Sequence, residues 1–182
     1  YSDDSQLARE LILSYIARKR FDPVDYAARI ANIFSRGRVV GGGLSTWEAA
    51  IRLAQGVPWD QAGTPSPSAG NGSAMRAGPI GLMFFDDFKS LVNAAQDQGI
   101  ITHKDIRCSA GAVAIAGAVG LALEQKEIDT VNFLTEIAKL SAVIDPAAET
   151  VFTELIDWVD LDPGEALKSI VLAGYAMGSV DN

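Results

Sequence analysis

Apolar residues recur along most of this chain at intervals of three and four, the spacing that lines one face of an α-helix. Between Asp4 and Arg20 the stripe is Leu7, Leu11 and Tyr15, widened by Ile12 and Ile16. Asp3, with Gln6 three residues on, reads as a capping pair at its start. Asp22-Pro23 predicts a second start, with Asp as cap and Pro at the first helical position, and Ala27, Ile30, Ile33 and Phe34 form the inner face. Arg36 to Gly43 (RGRVVGGG) breaks the period and predicts a turn or loop. Ser45-Thr46-Trp47-Glu48 then reads as a capping box, and Gly56 as the stop of the helix that follows.

Residues Val57 to Gly72 show no period and carry three prolines. An irregular segment of that length in a compact domain is often functional. Helical spacing resumes from Asp86 to Gln98, with Phe88, Leu91, Val92 and Ala95 inward. Thr102, with Asp105 three positions on, is expected to open the next helix. Three more are predicted over Asp129–Ile144, Asp145–Val159 and Asp162–Met177. No sustained alternation of period two occurs. The fold class is therefore all-α, a compact multi-helix bundle forming one domain over residues 1–182.

Composition narrows the function. The 182 residues are 48 % hydrophobic and 21 % charged, with a formal net charge of -8. That excludes a nucleic-acid backbone as the main partner, because phosphates of that kind require a basic footprint. A small phosphate ligand is still compatible, since a bound divalent cation inverts the local sign. One cysteine, Cys108, leaves no intrachain disulfide and points to a reducing, cytoplasmic setting. Its run of small apolar neighbours marks it as packed rather than nucleophilic. The longest uncharged stretch, Cys108 to Leu123, falls short of the roughly 20 residues a membrane helix needs and reads as a buried helix. The start at Tyr1, directly before a polar motif, and the stop straight after an apolar helix pattern predict a piece of a longer protein.

Two segments stand out as candidate chemistry. Tyr1-Ser2-Asp3-Asp4-Ser5 gathers two carboxylates and two hydroxyls, hard oxygen donors that suit Mg²⁺ or Mn²⁺. A plain helix start explains the same residues, since Ser and Asp are favoured caps and acids complement the helix dipole. The second segment, Pro65 to Arg76 (PSPSAGNGSAMR), is a glycine-rich loop feeding a helix start, where backbone N–H groups can meet phosphate oxygens. A surface turn has the same composition. Arg76 could serve a ligand or bind a carboxylate in the core. His103 is placed in the first turn of its helix, to contact ligand or to satisfy a backbone carbonyl. Trp47 reads as a packing residue, and Trp59, in the proline-rich loop, as a residue that could cover a pocket.

Taken in order, Ser2-Asp3-Asp4-Ser5, then Gly70-Asn71-Gly72-Ser73-Ala74-Met75-Arg76, then Thr102-His103 resemble the ADP-ribosylglycohydrolase family, which includes the enzymes that reactivate dinitrogenase reductase. The resemblance covers essentially the whole chain and implies a compact all-α hydrolase with two divalent ions, Mg²⁺ or Mn²⁺, in a central cleft. Ser2, Asp3 and Asp4 match the family's Thr-Asp-Asp metal triplet, with serine keeping the hydroxyl. Asp3 and Asp4 are thus implied in metal-assisted catalysis, as metal ligands rather than general bases. Ser68, Gly70, Asn71 and Gly72 match the loop that holds the ADP-ribose phosphates and nearby ribose, and His103 matches a histidine lining that site. Ala69 stands where some relatives carry an aromatic. Neither the family's N-terminal Gly-Asp-Ala-Leu-Gly-type segment nor its C-terminal Gly-Gly-Asp-x-Asp-Thr segment occurs here, so this stretch alone is expected to bind metal weakly and catalyse poorly. The implied function is metal-dependent hydrolysis of an N- or O-glycosidic bond joining ADP-ribose to a protein side chain or a small molecule. The rival expectations are a catalytically inactive ADP-ribose-binding or structural member, and a hydrolase of a related nucleoside-type compound. Neither involves nucleic acid or a membrane.

Overall fold

The computed structural model describes residues 1–172, and within them the chain forms nine α-helices and one short 3₁₀ turn. The first three are α1 (Asp3–Arg18), α2 (Pro23–Ser35) and α3 (Leu44–Ala54). Next come α4 (Gly78–Met83), α5 (Phe88–Ile100) and α6 (Ile106–Glu124). The last three are α7 (Thr130–Ala142), α8 (Ala147–Glu154), continued by the 3₁₀ turn Leu155–Trp158, and α9 (Pro163–Leu172). The all-α expectation is met: the described residues contain no strand, only an isolated parallel bridge between Thr64 and His103. The expected end of the last helix at Met177 lies outside the described residues.

Aspartate side chains cap α2, α5, α6 and α7. The Asp22, Asp87, Asp105 and Asp129 carboxylates accept from the backbone N–H of Asp25, Ser90, Arg107 and Asn132, satisfying donors that a helix N-terminus leaves open. Gly56 follows α3 at φ 87, a left-handed conformation that glycine adopts without steric cost, as its role as a stop requires.

Three expected caps are absent. Gln6 does not reach back to the start of α1. Its Nε2 donates to Arg38 O at 2.8 Å and its Oε1 accepts from Val40 N at 3.0 Å, so it clamps the loop behind the helix. Ser45 lies inside α3, whose N-cap is Gly43, and its hydroxyl is 3.1 Å from that of Ser68. Glu48 pairs instead with Arg52, one turn on. Thr102 is fully buried before α6, and Asp105 caps that helix. In each case a tertiary partner outcompetes the local capping bond.

The core is built around α6, which packs against α4, α5 and α7. Leu7, Leu11, Tyr26, Ile30, Ile80, Leu91 and Val113 are fully buried within it. At 19 residues α6 is long and apolar enough to cross a membrane by length and composition, more than its uncharged run alone implies. It is nevertheless a core helix, with Ala110, Ala112, Val113, Ala116, Gly117 and Gly120 buried against its neighbours. Its small residues permit close approach. A Cβ on Gly117 would meet Leu140 Cδ1 of α7 at 2.8 Å, and one on Gly120 would meet Leu91 Cδ1 of α5 at 3.2 Å. α4, which has no amphipathic stripe long enough to show in the sequence, lies on α6 through Gly81, where a Cβ would strike the Ala116 carbonyl and Val119.

Candidate functional site

The start of α1 is tied to the loop that follows α2. Asp3 N donates to Val40 O at 2.8 Å, and the Gln6 clamp completes the junction. Asp3 is consequently buried, 8 % exposed, while Ser2 and Asp4 are half-buried. Ser2 Oγ donates to Asp4 Oδ2 at 2.5 Å rather than capping the helix. Burial raises the pKa of Asp3, and the neighbouring Asp4 charge raises it further. Two carboxylates are thus held side by side at a helix start, one of them desolvated.

The proline-rich segment is pinned from several directions. Arg52 donates from Nε to Ala62 O and from Nη2 to Thr64 Oγ1. Arg107 donates to Pro67 O at 3.0 Å while also bonding both oxygens of Asp105. These Arg107 bonds are the main reason the Asp105 carboxyl is pushed down to about 2. The Cys108 thiol donates to Gly70 O at 3.2 Å, and burial, more than any charge, pushes it up to about 11. Cys108 is therefore a packed donor, as its neighbours in sequence imply.

The second half of the glycine-rich motif is an anchor. Ser73 Oγ donates to Cys108 O at 2.8 Å. Arg76 neither serves a carboxylate nor reaches solvent. It is fully buried and donates to Gln98 Oε1 and Gln98 O, each at 2.7 Å, and to Thr102 Oγ1 at 2.8 Å. Its guanidinium lies 5.7 Å from the centroid of the Tyr26 ring, and Nη1 has no hydrogen-bond partner among the described residues. Burial lowers the Arg76 pKa.

His103 does not sit in a helix. It occupies the connection between α5 and α6, held by Thr64 N donating to Thr102 O at 2.9 Å and Lys104 N donating to Thr64 O at 2.8 Å. Its Nδ1 is 2.7 Å from Thr102 Oγ1, so its partner is a side-chain hydroxyl and not a backbone carbonyl. The ring is 3 % exposed, and burial, assisted by the Arg76 charge, pushes its pKa down to about 4. The glycine loop lies directly on this ring. A Cβ on Gly70 would fall 3.2 Å from His103 Nε2, and one on Gly72 would fall 3.0 Å from it and nearer still to Cε1.

These segments, far apart in sequence, share one cleft of about 350 Å³. Asp3 lies on its wall with Ser68, Gly70, Asn71, Gly72 and His103, and Ala69 lines it too. Ser2 and Asp4 stand beside Asp3 without lining this space. Gly43, Ser45 and Thr46 at the start of α3 complete the wall, and nothing in their local sequence marks them for that role. Trp59 is elsewhere, in a shallow depression with Val24, Leu53 and Pro58. Trp47 packs edge-to-face on Phe34 at 4.7 Å, as a core residue.

The donor set has the chemistry a hard divalent cation requires, since Ser2, Asp3 and Asp4 offer only oxygens and a desolvated carboxylate beside a second negative charge is relieved by a cation. It is also small. No group of three or more His, Cys, Asp or Glu side chains that could hold a metal ion occurs among the described residues.

Fold and cleft together define a class: an all-α protein with an acid pair at one side of a pocket and a glycine-rich, backbone-lined loop at the other. The family model for ADP-ribosylglycohydrolase matches residues 1–181, and the chain belongs to that family. An uncharacterized protein of Archaeoglobus fulgidus is 31 % identical over 119 residues, 65 % of this chain and 38 % of its own length. ADP-ribosylhydrolase ARH3 of Homo sapiens is 30 % identical over 143 residues, 75 % of this chain and 39 % of its own length. The corresponding Gallus gallus protein is 29 % identical over 143 residues, with 75 % and 38 % covered. The chain thus spans about two-fifths of the length of the curated relatives it matches.

Proposed function

We propose that the protein hydrolyses the N- or O-glycosidic bond joining ADP-ribose to a protein side chain or a small molecule. The observation that carries this reading is the single cleft that brings Asp3, the Ser68–Gly72 loop and His103 together. Family membership and the names of the ADP-ribosylhydrolase relatives supply the substrate class.

In this reading the Gly70–Gly72 backbone meets the diphosphate, because glycine permits close approach of main-chain N–H groups to an anion. Fixing that remote group sets the position of the ribose relative to Asp3, which contributes to rate by orientation. Ser2, Asp3 and Asp4 are the residues that would hold Mg²⁺ or Mn²⁺, as part of a pair of ions in the complete protein. Bound there, such ions polarise substrate oxygens and lower the pKa of water. Asp3 and Asp4 act in this scheme as ligands and orienting groups.

The test is release of ADP-ribose from a mono-ADP-ribosylated arginine protein by the full-length protein, with Mg²⁺ or Mn²⁺ and then with chelator. Metal-dependent release that is abolished in Asp3→Asn/Asp4→Asn supports the hydrolase. Tight ADP-ribose binding with no release from arginine-, serine- or small-molecule-linked substrates points to a binding protein, and absence of both overturns the proposal.

A further inference from the structure

Behind the cleft runs a buried chain of polar groups: Arg76 Nη2, Thr102 Oγ1 and His103 Nδ1, joined at 2.8 and 2.7 Å. Arg76 and Thr102 are fully buried. The direction of this chain follows from the donor inventory. An arginine N–H only donates, so the threonine oxygen accepts at one side. Its own hydrogen then needs an acceptor in a site without solvent, and Nδ1 is the remaining partner the structure provides. Were Nδ1 protonated instead, the same oxygen would accept twice and its hydrogen would be left without a partner in the interior, at a cost typical of an unmade buried hydrogen bond.

We infer that Arg76 and Thr102 are positioning residues that lock His103 as the Nε2–H tautomer, so that the cleft presents a neutral imidazole N–H donor beside Gly70 and Gly72. Nε2 is on the ring edge that lies against those glycines, and His103 lines the cleft. The fixed positive charge of Arg76 behind the ring opposes a second proton, and burial acts in the same sense. The donor therefore suits an acceptor oxygen of the ligand, a phosphate or ribose oxygen, and is not a source of protons near neutral pH. The assignment of that acceptor to ADP-ribose rests on the proposed function, whereas the tautomer does not.

The test uses the full-length protein with ¹⁵N-labelled histidine, the His103 ring signals being assigned with His103→Gln. The expected spectrum has an unprotonated Nδ1 and a protonated Nε2 throughout pH 5 to 8. Thr102→Ser keeps that pattern, and Thr102→Val, which removes the hydroxyl at nearly constant shape, gives a mixture of tautomers and binds ADP-ribose about tenfold more weakly. A protonated Nδ1 in the unsubstituted protein, or an unchanged single tautomer in Thr102→Val, would overturn the inference. The unsubstituted protein and Thr102→Ser decide the matter even if Thr102→Val does not fold. Failure of the unsubstituted protein to bind ADP-ribose sinks the ligand reading separately, because the ring spectrum is recorded without ligand.

Discussion

A Cβ on Gly72 would sit 3.0 Å from His103 Nε2 and closer still to Cε1, so the loop backbone and the imidazole leave no room between them for a side chain. Gly72→Ala must therefore displace the ring or the loop. The expected result is a stability loss of about 1–3 kcal/mol, the usual cost of overpacking, and weaker ADP-ribose binding. Gly70→Ala, whose Cβ would lie 3.2 Å from Nε2, should do the same to a smaller extent. Thermal unfolding with calorimetric titration measures both, and an unchanged Gly72→Ala would contradict the packing described.

The lowered pKa of His103 makes stability depend on pH in a defined direction. The native ring resists protonation down to about 4, whereas the unfolded chain protonates near the ordinary value of 6.5. Between these values the unfolded state binds more protons, so the contribution is complete above 6.5 and is lost as pH falls toward 4. Its size is about 3 kcal/mol at about 1.4 kcal/mol per unit. The difference in unfolding free energy between the unsubstituted protein and His103→Gln, followed from pH 7 to pH 4, should shrink or reverse by that amount. A difference independent of pH would show that the ring is not buried neutral.

Arg107 joins the cap of α6 to the loop at Pro67 through Asp105. Because Arg107 is exposed and its charge is screened, its removal should cost little global stability, within about 1 kcal/mol. Arg107→Ala is expected to loosen the 65–72 loop instead, raising the Kd for ADP-ribose with a Tm shift of only a few degrees. Asp105→Ala, which also removes a helix cap from a buried side chain, should destabilise more. Amide exchange of the loop distinguishes the two.

The α4–α6 contact is equally specific. A Cβ on Gly81 would collide with the Ala116 carbonyl and with Val119, backbone and branched groups that cannot swing away. Gly81→Ala should lower stability by about 1–3 kcal/mol while leaving the cleft residues in place. Equilibrium denaturation, together with ligand affinity of the folded fraction, tests both halves of that statement.

Much of this arrangement was legible in the sequence. The helical period and the Asp starts at Asp22 and Asp129 correspond to observed helices and caps because those bonds are local. Gln6, Ser45 and Thr102 were misread for the opposite reason. Each satisfies a cap pattern locally but bonds across the fold, to the 38–40 loop, to Ser68 and to Arg76. α4 was hidden because six residues containing Gly and Pro show no period. Asp3, the glycine loop and His103 were identified by motif, and the fold places them on one cleft. The start of α3 was not, since Gly43, Ser45 and Thr46 acquire their place only from the packing of α3 against the loop.

The Gln6 clamp and the Asp3–Val40 bond have a consequence for how this protein can vary. Together they turn the stretch between α2 and α3 into a spacer of fixed length, measured at one end by Ser35 and at the other by the first turn of α1. Its side chains are constrained as well, since Gly37 and Gly41 hold φ values of 62 and 81 and Val39 packs against the core. An added or deleted residue would slide the carbonyl that holds Asp3 and retune the acid pair from outside the cleft, so lineages should preserve its count.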